Sequence, residues 1–422
     1  MNQIARTIEL PVTRAPFGWQ VVVACVIGSA LSPATLINVP FSLFVTELQQ
    51  AFGWSRSQIT GALSLFLCVL VVSLPLAGRL VDRLGARRVA IPSILLYGAA
   101  LVSMGWLGPS LAGWYVMYAL LAVLGAGAQS LTFIRVISAW FDRRRGLVIG
   151  ICMAGFGLGY VAVPMIAQSL IAIGGWRLGY VGLGLLALLG ALPIVTLLLR
   201  DSPAQVGLHI DGQVHDSQPA LHREPIGVSL AGAMRTREFW VLAATFLLMS
   251  FALNGVQSQI VPMLTDRGMS AASAAIMLSA IGVGSFPGRL VVGFTIDRVF
   301  APYVAFVCYA AAAVAILWLM EGSGVAGVFI CAVAVGVALG AENDLLGYLV
   351  GRYFGLRWFG QIYGALLSVY LIGAALGAYL SAQVYSATAS YHAALQLDAA
   401  AIIGSCGLLL FLRRYDRGER TQ

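Results

Sequence analysis

Lysine is absent from this chain of 422 residues, and all 25 of its basic residues are arginine. Chemistry that depends on a lysine amine, such as Schiff-base formation, is therefore excluded. Charged residues of both signs are scarce: they make up 10% of the chain, compared with about 25% in soluble proteins. The six cysteines lie singly in apolar stretches with no Cys-x-x-Cys pair, which is typical of small buried side chains.

Apolar residues, by contrast, make up 60% of the chain, and its mean hydropathy is +0.89. That much apolar surface exceeds what a soluble fold can bury, so the predicted surroundings are lipid. A helix needs about 20 apolar residues to cross a bilayer. Twelve such runs are predicted near residues 18–47, 56–80, 89–108, 112–140, 146–173, 177–199, 239–264, 272–296, 301–320, 325–350, 359–385 and 394–412. We therefore predict an all-α membrane protein with twelve transmembrane helices.

The arginines are divided unevenly between the two ends of these runs. One side carries Arg79, Arg83, Arg87, Arg88, Arg143, Arg144, Arg145, Arg235, Arg237, Arg298, Arg352, Arg357, Arg413, Arg414, Arg417 and Arg420. The other side carries only Arg56, Arg177 and Arg267. The positive-inside rule makes the rich side cytoplasmic. We therefore expect a multi-pass protein of a bacterial inner membrane with both termini in the cytoplasm, which requires an even number of spans.

The two halves of the chain repeat each other. The matching features are Gly78-x-x-x-Asp82-Arg83 with Gly293-x-x-x-Asp297-Arg298, Ser55 with Ser270, and Trp140-Phe141 with Tyr353-Phe354, at offsets of 215, 215 and 213 residues. We predict a six-helix bundle in residues 1–200, a cytoplasmic linker in 201–237 and a second six-helix bundle in 238–422. Repeats of this kind place a substrate site between the halves, near the bilayer midplane.

The segment from Gly78 to Arg88, Gly-Arg-Leu-Val-Asp-Arg-Leu-Gly-Ala-Arg-Arg, resembles the signature loop between helices 2 and 3 of the major facilitator superfamily. The partial copy at Gly293 lies where that superfamily keeps its second copy. The resemblance implies two pseudo-symmetric six-helix bundles and transport by alternating access. An embedded aspartate can accept hydrogen bonds from a helix N-terminus or an arginine and so latch the cytoplasmic side. The candidate gate residues are Asp82, Arg83, Arg135, Asp297 and Arg298.

Further motifs narrow the resemblance to the branch of monocarboxylate transporters and oxalate/formate antiporters. They are Trp140-Phe141-x-x-Arg144-Arg145-Gly146, Gly155-Phe156-Gly157-Leu158-Gly159, Gly175-Trp176-Arg177, Pro203-x-x-x-Gly207-Leu208, Arg237-x-Phe239-Trp240 and Phe354-Gly355-x-x-x-Phe359-Gly360-x-x-Tyr363-Gly364. The chain also departs from that branch. It has no lysine in the first span, and Ser285 lies four residues before Arg289, where animal monocarboxylate transporters have an aspartate.

Four ionisable residues lie within spans that line the central cavity in the superfamily fold: Arg135, Arg289, Glu342 and Asp344. Such residues are costly in a membrane and usually functional. Arg289 lies about 12 Å from the cytoplasmic end of the eighth span, and Glu342 about 15 Å from that of the tenth. Arg289 is the candidate that binds a substrate carboxylate through its planar guanidinium. The alternative is a purely structural Arg289–Glu342 ion pair.

Glu342 and Asp344 are candidates for proton coupling, since a carboxyl group buried in an apolar region can carry a proton at neutral pH. Two residues apart on a helix, they point about 200° away from each other, so one can face the cavity while the other pairs within its own half. Both could instead be structural partners of arginines. Neutral polar residues on the same spans are further candidates for substrate contact, or for bonds between helices: Asn38, Gln129, Asn254, Gln257, Tyr363 and Tyr370.

We predict a secondary carrier, not an enzyme, that moves a small organic anion, most simply a monocarboxylate in symport with a proton. No cofactor, metal site or nucleic-acid partner is indicated, and no Gly-x-x-x-x-Gly-Lys phosphate loop for ATP occurs. The expected partners are the anion, the proton and the lipid bilayer, with the chain as a monomer. An organic-anion exchanger, a proton-driven exporter of amphipathic compounds and, outside transport, a transporter-like sensor remain alternatives.

Overall fold

The computed structural model describes residues 16–212, 227–321 and 324–415, and its regular structure there is helical apart from a single isolated bridge between Gly227 and Gly355. This confirms the predicted all-α fold. In the first half, α1 comprises Pro16–Ala30, a π-helical turn Ala34–Asn38 and Phe41–Phe52, α2 is Arg56–Leu84, α3 is Ala86–Met104, and α4 comprises Leu111–Gly125, a 3-10 turn Ala126–Ala128 and Ser130–Trp140. In the second half, α7 is Arg237–Asp266, α8 Ala271–Ile296, α9 Ala301–Met320, α10 Val325–Phe354, α11 Phe359–Thr388 and α12 Tyr391–Leu409.

Helices α5 and α6 follow each other in one apolar run, Arg145–Leu198, of 54 residues. A helix of that length would measure about 80 Å, far more than the bilayer's hydrocarbon core of about 30 Å. The run is interrupted at Gly174 and Gly175, where Gly175 has φ +68°, a conformation that glycine adopts readily. It is therefore two spans, α5 (145–173) and α6 (176–198). The eleven long apolar helices of the described residues thus make twelve crossings, as predicted.

The internal repeat extends to the helix starts. The Ser55 hydroxyl accepts a hydrogen bond from the backbone N–H of Gln58 at the start of α2, at 3.2 Å. The Ser270 hydroxyl does the same for the N–H of Ser273 at the start of α8, also at 3.2 Å. A serine cap satisfies one of the N–H groups that a helix start leaves unpaired. The two serines, 215 positions apart, therefore fix equivalent helix starts in the two halves.

The predicted linker 201–237 contains short helices at Pro203–Val206, Ile210–Gly212 and Leu230–Ala233, and α7 begins at its last residue. Its residues 213–226 lie outside the described residues, as do Arg417 and Arg420, which were counted for the orientation. The proposed domain boundaries and the cytoplasmic location of the linker stay predictions.

The two halves meet where helix backbones touch. A Cβ atom at Gly78 of α2 would overlap the carbonyl group of Gly360 in α11. A Cβ atom at Gly293 of α8 would lie 2.5 Å from the carbonyl oxygen of Gly146 in α5. Real Cβ atoms do not approach other atoms so closely. Glycine at these positions therefore lets α2 pack on α11 and α8 on α5, and both contacts lie at the arginine-rich end of the molecule.

Candidate functional site

Two aspartates at the arginine-rich end cap helices of the opposite half. The Asp82 carboxylate accepts hydrogen bonds from the N–H groups of Gly360 (2.9 Å) and Gln361 (2.8 Å), in the first turn of α11. The Asp297 carboxylate accepts bonds from the N–H groups of Gly146 (2.7 Å) and Leu147, in the first turn of α5. A carboxylate here satisfies unpaired N–H groups and is favoured by the helix dipole. Each half thus closes on the other through the same contact.

The surroundings of these carboxylates differ. The Arg135 Nε atom lies 3.2 Å from Asp82 Oδ1, so the predicted gate arginine of α4 joins this contact. Burial raises the pKa of Asp297, although its bonds to the two backbone amides act in the opposite direction. Arg83 and Arg298 are exposed, and the Arg298 guanidinium lies over the Phe294 ring of its own helix, at 3.5 Å from the ring centre. The assignment of these two side chains to the gate stays a prediction.

A third contact between the halves was missed by the sequence interpretation. Arg352 at the end of α10 forms an ion pair with Asp142, which follows α4, at 3.0 Å. Asp142 also pairs with Arg145, at 3.0 Å. Asp142 lies directly after the Trp140-Phe141 motif and before three arginines. An acidic residue beside a cluster of arginines could have indicated an ion pair there. Arg352 was used there only to assign orientation.

The ionisable residues within the spans form an ion pair other than the one considered in the sequence analysis. Arg289 of α8 binds Asp344 of α10, with 3.1 Å between Nη1 and Oδ1. The alternative of a purely structural Arg289–Glu342 ion pair is therefore wrong. The Arg289 side chain is 14% exposed and that of Asp344 is fully buried. A Cβ atom at Gly150 of α5 would lie 2.6 Å from the Arg289 carbonyl oxygen, so this ion pair lies against the opposite half.

Glu342 occupies a different environment on the same helix. Its side chain is fully buried, and neither carboxylate oxygen has a hydrogen-bond partner among the described residues. The Tyr370 hydroxyl of α11 faces both Glu342 and Ser250 of α7, and Tyr309 of α9 also lies close to the carboxyl group. Glu342 and Asp344 therefore face different surroundings, as their spacing predicts.

The neutral candidate residues differ in whether their polar atoms have partners. Asn254 donates to the Ser250 carbonyl oxygen of its own helix, at 2.9 Å, and the Tyr363 hydroxyl lies 3.4 Å from the Ser130 hydroxyl of α4. Both therefore have partners within the protein, and Tyr363 is fully buried. Asn38 Oδ1 and Gln129 Nε2 are buried without a partner among the described residues. Gln257 is half-buried on α7.

Tyr160 of α5 lies near the central ion pair, and the sequence did not single it out. Its side chain is 56% exposed, yet its hydroxyl lies near enough to Arg289 and Tyr370 for electrostatic interaction. Phe286 of α8 packs against α5 three residues earlier, since a Cβ atom at Gly157 would lie 3.6 Å from the Phe286 ring. Helices α5, α8 and α11 therefore contribute Tyr160, Arg289 and Tyr370 to one region between the halves. The signal was position alone: Tyr160 directly follows the glycine-rich segment 155–159.

Each half caps a helix of the other, and the Arg352–Asp142 ion pair joins them at the same end. Contacts that can break and re-form in this way suit a protein whose two halves move relative to each other. The family model described as Major Facilitator Superfamily matches residues 25–378. The chain belongs to the major facilitator superfamily. As a member it is a membrane transporter and not an enzyme, which agrees with the sequence interpretation.

Curated relatives place this major facilitator protein in the expected branch. It is 25% identical to monocarboxylate transporter 12 of Rattus norvegicus over 446 residues, covering 100% of this chain and 90% of the relative. It is 25% identical to monocarboxylate transporter 11 of Homo sapiens, covering 94% and 83% of the two chains. It is 26% identical to the MFS-type transporter YhjX of Escherichia coli, covering 82% and 84%. These matches confirm the resemblance to the monocarboxylate-transporter branch.

Solved structures confirm the major facilitator fold. The proton:xylose symporter XylE superposes with a TM-score of 0.73 at 14% identity, covering 95% of this chain and 97% of the other. The transporter FucP of this superfamily, in its outward conformation, superposes with a TM-score of 0.72 at 14% identity, covering 95% and 100%. The predicted architecture of two six-helix bundles is therefore correct.

Proposed function

We propose that this transporter imports a small monocarboxylate together with a proton by alternating access. The observation that carries the proposal is Arg289, a guanidinium within the membrane that keeps 14% of its side chain exposed beside Tyr160 in the region between the halves. The relatives named monocarboxylate transporters support the same substrate class.

Arg289 has the bonding capacity that a carboxylate needs. A guanidinium has five N–H donors in a planar fork, and Asp344 accepts from Nη1. A substrate carboxylate can bind such a fork with two parallel hydrogen bonds. Tyr160 and Phe286, both largely exposed, provide an aromatic wall for a short carbon chain. The anion therefore gains a charged contact at one end and an apolar one at the other.

The two carboxyl groups of α10 take different roles in this proposal. Asp344 is the counter-ion that neutralises Arg289 when no substrate is bound. Glu342 has no ion-pair or hydrogen-bond partner among the described residues, and an isolated carboxylate in an apolar interior costs several kcal/mol. Glu342 therefore holds the proton, and the Tyr370 hydroxyl beside it links this carboxyl group to the region around Arg289 and Tyr160.

The capping contacts supply the gate. Asp82, Arg135 and Asp297 act at the arginine-rich end, which the positive-inside rule assigns to the cytoplasm. The molecule is then closed toward the cytoplasm, and inward opening has to break both aspartate caps. Arg352 and Asp142 add an ion pair to the same closed end. Both termini are cytoplasmic in this arrangement.

The test is uptake of radiolabelled C2 to C4 monocarboxylates into proteoliposomes with an inward proton gradient. Arg289→Ala should reduce uptake at least about tenfold, because one charge-assisted contact is worth roughly 1.5–3 kcal/mol. Arg289→Lys should restore little, since an ammonium lacks the planar fork. Arg56→Gln, at an exposed position at the start of α2, is the matched control and should leave uptake unchanged.

Full uptake of every carboxylate by Arg289→Ala would refute the anion site. Uptake that ignores the proton gradient but requires an anion inside the vesicles would instead identify an exchanger.

A further inference from the structure

A buried carboxyl group lies in α12, a helix that the sequence analysis did not associate with charge. The Asp398 side chain is fully buried seven residues after the start of α12, about 10 Å along the helix. Its Oδ1 atom accepts a hydrogen bond from the Ser381 hydroxyl of α11, at 3.0 Å. Its Oδ2 atom has no partner among the described residues. Ionisable groups inside a membrane are rare and usually functional.

The helix backbones are shaped to hold this carboxyl group. A Cβ atom at Gly255 of α7 would overlap Asp398 Oδ1 and would lie 2.5 Å from the Ser381 hydroxyl. Gly373 and Gly377 of α11 lie two turns and one turn before Ser381 and press against the carbonyl groups of Leu247 and Phe251 in α7. Glycine at 255 therefore continues a close helix contact and leaves room for the carboxyl group at its end.

No charge compensates Asp398 in the described part of the chain. Helices α7, α9 and α11 pack against α12, and within the described residues Asp398 makes no ion pair; its hydrogen bond is to Ser381. Of the ionisable groups nearest along these helices, Tyr379 of α11 and His392 of α12 are exposed, and Tyr385 of α11 donates to Asp266. Asp266 lies eleven residues beyond Gly255 and Tyr370 eleven residues before Ser381, each about 16 Å away along its helix. Tyr309 of α9 faces Glu342 instead.

We propose that Asp398, with Ser381 in the space left by Gly255, is a second proton-binding site of this transporter. The three oxygen atoms of Asp398 and Ser381 are too few for a metal cation such as Ca²⁺, which takes six to eight. A proton needs only one oxygen and removes the cost of a buried charge. The site holds this proton as a neutral carboxyl group.

Polar groups on α7 lie between this site and Glu342. Asn254 precedes Gly255 and contacts the Ser250 hydroxyl at 3.4 Å, and that hydroxyl faces Tyr370, which in turn faces Glu342. These residues span about one and a half turns of α7. In this proposal Asp398 stores a proton near the groups of α7 that face Tyr370 and Glu342. The role of Asp398 in transport rests on the proposed proton coupling. The binding of a proton by Asp398 does not depend on that proposal.

The first test is infrared spectroscopy of the transporter in liposomes at neutral pH. The carbonyl stretching band of a protonated carboxyl group should be present in the wild-type protein and be lost in part in Asp398→Asn. Asp266→Asn is the matched control and should keep the band, because the Asp266 carboxylate accepts from Tyr391 (2.6 Å) at the exposed end of α7. An unchanged band in Asp398→Asn would overturn the proposal, whether or not transport is proton-coupled.

The second test separates a proton role from a packing role. Asparagine keeps the acceptor for Ser381 but cannot take up and release a proton. Asp398→Asn should lower net uptake driven by a proton gradient at least tenfold and leave counterflow exchange within twofold of wild type. Unchanged net uptake would overturn the role in coupling, and an equal loss of both activities would show a structural role instead. Wild-type uptake that does not depend on the proton gradient would refute the proposed symport. The infrared result would still show whether Asp398 binds a proton.

Discussion

At the scale of single residues, Glu342 and Asp344 offer a direct contrast within one helix. Asp344 balances Arg289, whereas Glu342 makes no ion pair among the described residues. Asp344→Asn leaves Arg289 without a counter-charge, and breaking a buried pair in this way costs about 3–5 kcal/mol. If Glu342 carries the proton as proposed, Glu342→Gln replaces a neutral carboxyl group by a neutral amide, and the stability should hardly change.

Thermal unfolding in detergent should therefore show a large loss for Asp344→Asn and almost none for Glu342→Gln. In proteoliposomes, Glu342→Gln should abolish uptake driven by a proton gradient and keep counterflow. A drop in melting temperature for Glu342→Gln as large as that for Asp344→Asn would mean that Glu342 is ionised and paired, and it would contradict its role as proton carrier.

The sequence revealed these charges but not their partners. Arg289, Glu342 and Asp344 are detectable because an ionisable residue within an apolar span is rare. Similar depth made Arg289 and Glu342 plausible partners, but depth does not fix the direction in which each helix points its side chains. Asp398 escaped notice because it lies near the start of its span, where charge is common. Only the tertiary structure shows that it is fully buried.

At the scale of helices, glycine decides which pairs can touch. A Cβ atom at Gly377 of α11 would overlap the carbonyl group of Phe251 in α7, and a backbone carbonyl cannot turn aside as a flexible side chain does. Gly377→Ala should therefore separate α7 from α11 and cost about 1–3 kcal/mol, as overpacking usually does.

The matched control is Gly404→Ala in α12, where the nearest atom, in the Leu248 side chain, would lie at an ordinary 3.6 Å. Thermal unfolding of the two variants in the same detergent is the measurement, and Gly404→Ala should match the wild-type protein. Equal melting temperatures for both variants would show that the α7–α11 contact adapts more freely than its backbone packing indicates.

Spans could be predicted well at this scale, since length and hydropathy determine them. The predicted runs 146–173 and 177–199 correctly divide Arg145–Leu198 into α5 and α6, and the positive φ of Gly175 gives the physical cause of the break. The π-helical turn at Ala34–Asn38 and the 3-10 turn at Ala126–Ala128 were not foreseen. Both turns depend on how the helices pack against each other, and the periodicity of apolar residues does not reveal this packing.

At the scale of the whole molecule, the two aspartate caps connect the halves through equivalent contacts. Asp82 holds the start of α11 and Asp297 holds the start of α5. In alternating access the halves move as rigid bodies, so the two caps should break together. Asp82→Asn weakens only the first cap directly, because an amide oxygen is a poorer acceptor than a carboxylate.

Hydrogen exchange measures this coupling, since it reports the opening of individual backbone amides. In Asp82→Asn the amides of Gly360 and Gln361 should exchange faster, and so should those of Gly146 and Leu147, although the substitution does not touch them. Arg56→Gln should change neither pair. Faster exchange confined to the α11 amides would show that the caps open independently and that closure of this end is not one rigid-body step. Faster exchange at both pairs of amides would instead make the two caps a single gate, whose strength sets the balance between the two faces of the transporter.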